Sequence, residues 1–135
     1  MQKLILCSLI LMLGFAQVQA ADEAEEQAPK SSAYVSLGEP MVLNLSGAKR
    51  LTFLQLSADV LVRDEDAKYT IKIHVPAIRH SLIMMLSEQK AGDIKSPTRR
   101  EEIRRQVTTR VQALVADLSG NEDISEVLFS SILVQ

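Results

Sequence analysis

The sequence predicts an α+β domain in which a small antiparallel sheet carries two main helices. Three observations point there. Arg50–Val62 alternates apolar and polar residues over a full strand length. Two later segments repeat apolar residues every three or four positions. The final stretch, Ile124–Gln135, returns to strand-like composition. Strands, then helices, then a strand do not make a repeating strand–helix–strand pattern, so a parallel sheet is not expected. With 135 residues, one folded domain is the natural size.

The chain opens MQKLILCSLILMLGFAQVQAADEAEE. Lys3 is a minimal basic start, and Leu4–Ala16 is an apolar run of 13 residues broken by Ser8 and Gly14. Val18-Gln19-Ala20 sets compact residues at −3 and −1 of a cut before Ala21, the layout of a secretory signal peptide. Residues 1–20 are therefore read as a cleaved signal, with an uncut N-terminal membrane anchor as the alternative. The run is shorter than the about 20 apolar residues of a membrane span. In both cases Lys3 stays inside, the acidic Asp22, Glu23, Glu25 and Glu26 go outside, and the domain is exported. Residues 21–33 read as an acidic flexible linker, and residues 34–135 as the folded periplasmic domain.

Tyr34–Leu45 holds two short apolar clusters split by Gly38 and Pro40. The second, Met41–Leu45, is strand-like, and Ser46-Gly47-Ala48-Lys49 is its turn. In the long strand that follows, Leu54, Leu56, Ala58, Val60 and Val62 share one face and Gln55, Ser57 and Asp59 the other. One face is thus expected covered and one wetter.

Arg63–Gln89 supports two periods. Tyr69, Ile71, Ile73 and Val75 alternate as in a strand, whereas Ala67, Ile71, Val75, Ile78, Leu82 and Leu86 recur as on a helix. Asp64 as N-cap, with Glu65 and Asp66 in the first turn, favours the helix. Pro76 removes one backbone bond and is expected to kink it, and Gly92 suits its stop. Ser96-Pro97 opens the next helix, with Thr98 and Glu101 as a competing capping box. Its stripe is Ile103, Val107, Val111, Leu114, Val115 and Leu118, and Gly120 ends it. In the last strand Val127, Phe129 and Leu133 are expected on one face and Leu128, Ile132 and Val134 on the other. Apolar residues on both faces predict a strand with neighbours on both sides.

With this order in place, the sequence resembles the FliL family of flagellar basal-body-associated proteins. The matching stretches are Tyr34-Val35-Ser36-Leu37 with Val42-Leu43-Asn44-Leu45, the strand Leu51–Val62, and Pro76-Ala77-Ile78-Arg79 running into Leu82–Ser87. Asp93-Ile94 with Ser96-Pro97 and the ending Val127-Leu128-Phe129 to Gln135 complete the set. The resemblance implies a helix from Asp64 to Ser87 kinked near Pro76, and a fold similar to the stomatin-like (SPFH) domain. It further implies a non-enzymatic protein whose periplasmic domain contacts the flagellar stator, associates with itself as a ring or homo-oligomer, and lies at the inner-membrane surface. Family members carry a longer basic start before a full span, whereas only Met1 and Gln2 precede Lys3 here. A secreted periplasmic binding or scaffold module of the same fold, without a motor role, is the alternative.

The chemistry classes can be taken in turn. The net charge is −2, and losing Lys3 makes it more negative, unlike a nucleic-acid binder. There is no Trp, and aromatics are 4% of the chain, which leaves little for base or sugar stacking. Cys7 is the sole cysteine. It lies at the start of the apolar run, where a lipidation signal would lie at the end. Without residues 1–20 the chain has no disulfide, no thiolate nucleophile and no sulfur metal site.

His74 and His80 are the only histidines, about 120° apart on a helix. His80 and Met84, at i and i+4, are soft donors of the kind copper takes, but two donors do not make a site; they read as helix-face residues, and no metal or cofactor is expected. No serine sits in a nucleophile elbow, and no glycine loop cradles a phosphate. Asp64-Glu65-Asp66 and Glu101-Glu102 are helix starts, explained by the dipole. No catalytic residue and no small-molecule substrate is expected. Arg79, Arg99, Arg100, Arg104, Arg105 and Arg110 read either as a solvated face, with Glu101 paired to Arg105 for about 0.3–0.5 kcal/mol, or as a patch for an anionic partner. Ile83 and Met84 exceed what one core stripe needs; they read either as further core packing or as a second buried face against another subunit.

Overall fold

The computed structural model describes residues 32–135. The signal or anchor at residues 1–20 and nearly all of the linker lie outside the described residues. Among the described residues no helix is long and apolar enough to cross a membrane.

The molecule is α+β, as the sequence predicts. Strand β3 (Thr52–Val62) is the centre of a four-stranded antiparallel sheet. Strand β1 (Ala33–Ser36) pairs with its end, Ala33 opposite Val62 and Ser36 opposite Asp59. Strand β2 (Met41–Leu45) pairs with its beginning, Met41 opposite Leu56 and Leu45 opposite Thr52. Strand β4 (Ile124–Val134) pairs along Leu54–Val62 and so overlaps both spans; it must lie on the opposite edge of β3. The first apolar cluster, Tyr34–Leu37, is thus a strand as well, docked beyond β2 on the same edge. The alternation in β3 divides as expected: Leu54, Leu56, Ala58, Val60 and Val62 are all buried beneath the helices.

Helix α1 (Glu65–Ser87) settles the two-period segment. Ala67, Ile71, Ile78, Leu82 and Leu86 are buried, while Tyr69, Ile73 and Met84 are exposed. Its strand-like alternation arises because Ile71 and Val75 face the sheet while Tyr69 and Ile73 lie on the far side of the same helix. Pro76 lies within α1, on its exposed side. Asp64 caps α1, its Oδ1 accepting from the Ala67 N–H at 2.7 Å. Asp64→Ala is expected to lower stability by about 1 kcal/mol, and Asp64→Asn, which keeps an acceptor oxygen, by much less; urea unfolding monitored by circular dichroism checks the pair.

The stop of α1 differs from expectation. The helix ends at Ser87, and Gly92 lies inside a short helix, α2 (Ala91–Lys95). The cause is tertiary. Ser46, in the turn after β2, donates its hydroxyl to the carbonyls of Glu88 and Gln89 at 3.2 and 3.0 Å. Its backbone N–H also bonds Gln89 O, and the Ala91 N–H returns to Ser46 O. Gly47 permits that approach: its φ is +72°, and a Cβ there would stand 3.0 Å from the Lys90 side chain.

Helix α3 (Pro97–Ser119) starts at Ser96, whose Oγ accepts from the Arg99 N–H, and ends at Gly120 with φ +71°. The competing box at Thr98 is not used: Thr98 lies inside the helix that Ser96 caps, and Glu101 is engaged by Arg104 and Arg105 instead. Ile103, Val107, Val111 and Val115 are buried, but Leu118 stays exposed. Gln112 already reaches the first residue of β4, so the last turns of α3 project past that strand.

Two register shifts in β4 correct the expected faces. Val60 opposes Val127 and Ala58 opposes Phe129, but Leu56 opposes Ile132 and Leu54 opposes Val134. Ser130 is the extra residue of a bulge, and a second shift falls near Ser125. Ile124, Val127, Phe129, Ile132 and Val134 therefore share the helix-covered side, and Leu128 and Leu133 the open side. Among the described residues β4 pairs only with β3, so the expectation of neighbours on both sides is not met within one chain.

Candidate functional site

The densest polar cluster joins α3 to β4. Arg104, whose side chain is only 19% exposed, donates to both oxygens of Glu101 at 2.8 Å, to Glu126 Oε2 at 2.8 Å and to the Val127 carbonyl at 2.8 Å. Arg105 Nε adds a bond to Glu101 Oε1 at 3.2 Å, the pair expected from the sequence. Hydrogen bonding from Arg104, with its charge and that of Arg105, brings the Glu101 carboxyl down to about 2. Glu101 and Glu126 in turn hold the Arg104 guanidinium further above its usual range. The buried Thr108 accepts from the Val127 N–H at 3.0 Å, and Gln112 donates to the carbonyls of Ile124 and Ser125. Arg63 reaches Ser125 Oγ at 3.1 Å. Every group here is met by a structural partner, so the cluster clamps the helix to the strand. It leaves no unpaired base or nucleophile poised for chemistry.

The arginines that the sequence sets side by side do not form one patch. Arg99 pairs with Glu102 and Asp93. Arg100 donates to the Ile94 carbonyl. Arg79 lies elsewhere, its Nη1 bonded to the carbonyls of Leu37 and Glu39 at 2.8 and 2.6 Å, where it fastens the β1–β2 connection onto α1. That leaves Arg110, exposed and without a side-chain partner among the described residues.

Arg110 borders a shallow groove between α1 and α3, together with His80, Met84, Met85 and Leu114. The structure thus brings His80 and Met84 together, as their spacing suggested, but sets a guanidinium beside them. A cation in that groove would face the arginine's charge. His74 is not among the lining residues. Among the described residues no group of three or more His, Cys, Asp or Glu is placed to hold a metal.

What distinguishes the surface is its exposed apolar side chains. Tyr69, Ile73 and Met84 form one stripe along α1. Tyr34, Val42, Leu51, Phe53 and Leu133 stand on or beside the sheet face away from the helices. Of the two surplus residues singled out in the sequence, Ile83 packs against the core and Met84 is free. Sequence reasoning missed the part Leu133 plays on the sheet side, because the Ser130 bulge moves Ile132 and Val134 inward and leaves Leu133 outward. Tyr, Met and Phe in such positions are the residue types enriched at protein interfaces. The arrangement is suited to binding another macromolecule.

Comparison with known proteins bears on which. Residues 34–135 match the profile of the family described as flagellar basal body-associated protein FliL. The chain is also similar to the flagellar protein FliL of Aquifex aeolicus (strain VF5), at 22% identity over 107 residues. That alignment covers 79% of this chain but 64% of the relative, so the chain spans less than two thirds of its length.

Proposed function

The chain belongs to the FliL family of flagellar basal-body-associated proteins, and from that premise we propose that it supports flagellar motility by protein contacts alone. On this reading the domain at residues 34–135 works in the periplasm, at the inner-membrane surface. There it associates with itself and with the stator, and its contribution is mechanical: it braces a membrane complex and turns over no substrate.

The observation that carries this reading is the pairing of family membership with the state of the surface. The titratable cluster at Arg104 is spent on holding α3 to β4, while both the sheet face and α1 present apolar side chains that no described residue covers. A protein of this size that exposes Tyr34, Phe53, Leu133, Tyr69 and Met84 has surface to cover.

The test is an in-frame deletion read on soft agar. The expected result is a smaller swimming or swarming ring, restored by the full chain from a plasmid. Normal motility of the deletion strain rejects the proposal. Fractionation then separates the two forms of the idea. A chain that pellets with the inner membrane supports the motor role, and one that begins at Ala21 and is soluble supports the exported scaffold.

A further inference from the structure

The outward edge of β4 is closed along one half and open along the other. From Ile124 to Val127, side chains of α3 take the strand's outward backbone groups. Thr108 Oγ1 accepts from the Val127 N–H, Arg104 donates to the Val127 carbonyl, and Gln112 donates to those of Ile124 and Ser125. Beyond Val127 no described side chain does the same. Gln135 exchanges both backbone bonds with Phe53, at 2.8 and 3.0 Å. In an antiparallel ladder alternate residues then turn their N–H and C=O the other way. Those are Val134 and Ile132 and, before the Ser130 bulge and in phase with Val127, Phe129. No described residue meets them on that side.

This open stretch, Leu128–Gln135, reads LFSSILVQ and contains no charge and no proline. Edge strands are commonly guarded by lysine, proline or inward charge; here the Ser130 bulge is the only such device. The stretch is apolar on both faces, with Phe129, Ile132 and Val134 inward and Leu128 and Leu133 outward. Leu133 shares a row with Gln55 and Val42, with Phe53 and Leu51 at the same end of the sheet. An incoming strand would therefore extend an apolar corner as well as a ladder.

We infer that a second copy of this chain docks here, adding its own β4 antiparallel across a two-fold axis, so that one sheet runs through both subunits. Two features select that occupant. A strand lying here needs apolar residues on both faces over about eight positions, and this same segment carries them. Pairing Leu128–Gln135 with itself also brings no like charges together. The exposed stripe of α1 fails on this count: set antiparallel so that Tyr69 meets Met84, it places Glu65 against Glu88 of the other copy. The inference rests on the reading that the domain works by protein contacts, and it assigns one of those contacts to a surface.

The test uses the full chain in its own cells, with Cys7→Ser and single cysteines at Ser131, Leu133 or, as a control on α3, Thr109. Mild oxidation is expected to give disulfide-linked dimers at position 131 or 133 at least about tenfold above position 109. Placing lysine at the other edge position, Ser131→Lys or Leu133→Lys, is expected to cut that yield about tenfold; the variant's melting temperature shows that it remains folded. No dimer at 131 and 133, equal dimer at 109, dimer indifferent to lysine, or linkage to a different protein each overturns the inference. Motility is scored in the same strains. If motility needs the chain but the edge gives no dimer, the edge assignment fails and the functional reading stands. If dimers form where the deletion swims normally, the functional reading fails and the edge stands.

Discussion

Replacing Leu82 by alanine is expected to lower the unfolding free energy by about 2–5 kcal/mol. Leu82 is 0% exposed and lies midway along the buried row of α1 that includes Ile78 and Leu86. Truncation removes the transfer free energy of the lost carbons and leaves a cavity that a sheet on one side and a helix backbone on the other cannot readily close. For a domain of about 100 residues each kcal/mol is worth roughly 4–8 °C in Tm, so the variant should melt at least about 8 °C lower. Met84→Ala, two residues on and 55% exposed, is expected to cost no more than about 0.5 kcal/mol. Reversible urea unfolding of the pair checks both. Equal costs would mean that α1 does not present the faces described, and the case for its outward stripe would go with them.

That pair also marks where the sequence was readable. A strand or helix that packs on one side writes its period into the chain: β3 alternates and is buried on alternate residues, and Ile103, Val107, Val111 and Val115 recur and are buried. The caps at Asp64, Ser96 and Gly120 are local devices, legible because the capping atom and the group it caps are close in sequence. What could not be read depends on partners distant in the chain. Ser46 ends α1 from more than 40 residues away. Ser130 becomes a bulge only against Ser57 and Ala58 of β3, and nothing in FSSILV announces it. Because a bulge reverses the sides of every later residue, missing it exchanged Ile132 and Val134 for Leu133 on the exposed face. The arginines show the same limit. Adjacent in sequence, they read as one cationic patch, yet Arg104 turns to the Val127 carbonyl and Arg79 to those of Leu37 and Glu39. The candidate surface, the open half of β4, is therefore a product of tertiary structure: it is defined by where the side chains of α3 cease to reach.

Arg104→Ala should expose how much of the domain depends on that reach. Its guanidinium is mostly buried and meets two carboxylates and a backbone carbonyl. Removing it leaves Glu126 and the Val127 carbonyl without that donor, and leaves Glu101 with Arg105 alone. Hydrogen bonds to charged groups contribute about 1.5–3 kcal/mol, and the two carboxylates remain partly in water, so a loss of about 2 kcal/mol at pH 7 is expected. The loss should depend on pH in a fixed direction. Glu101 is held at about 2 in the folded protein, below its ordinary 4.5. The folded state therefore binds fewer protons than the unfolded chain between those values. Its stabilisation is complete above about pH 4.5 and disappears as the pH falls toward 2. Without Arg104 most of that depression goes, with only Arg105 left to sustain it, so the stability gap between parent and variant should be full at pH 6–7 and narrow between pH 4.5 and 2. Urea midpoints for both proteins across that range decide it, because the remaining carboxylates cancel in the difference. A gap that stays constant with pH would show that Arg104 acts through the Val127 carbonyl and packing alone. A widening gap at low pH would mean that the Glu101 pair does not stabilise the fold, and that the seal over the first half of β4 rests on Thr108 and Gln112.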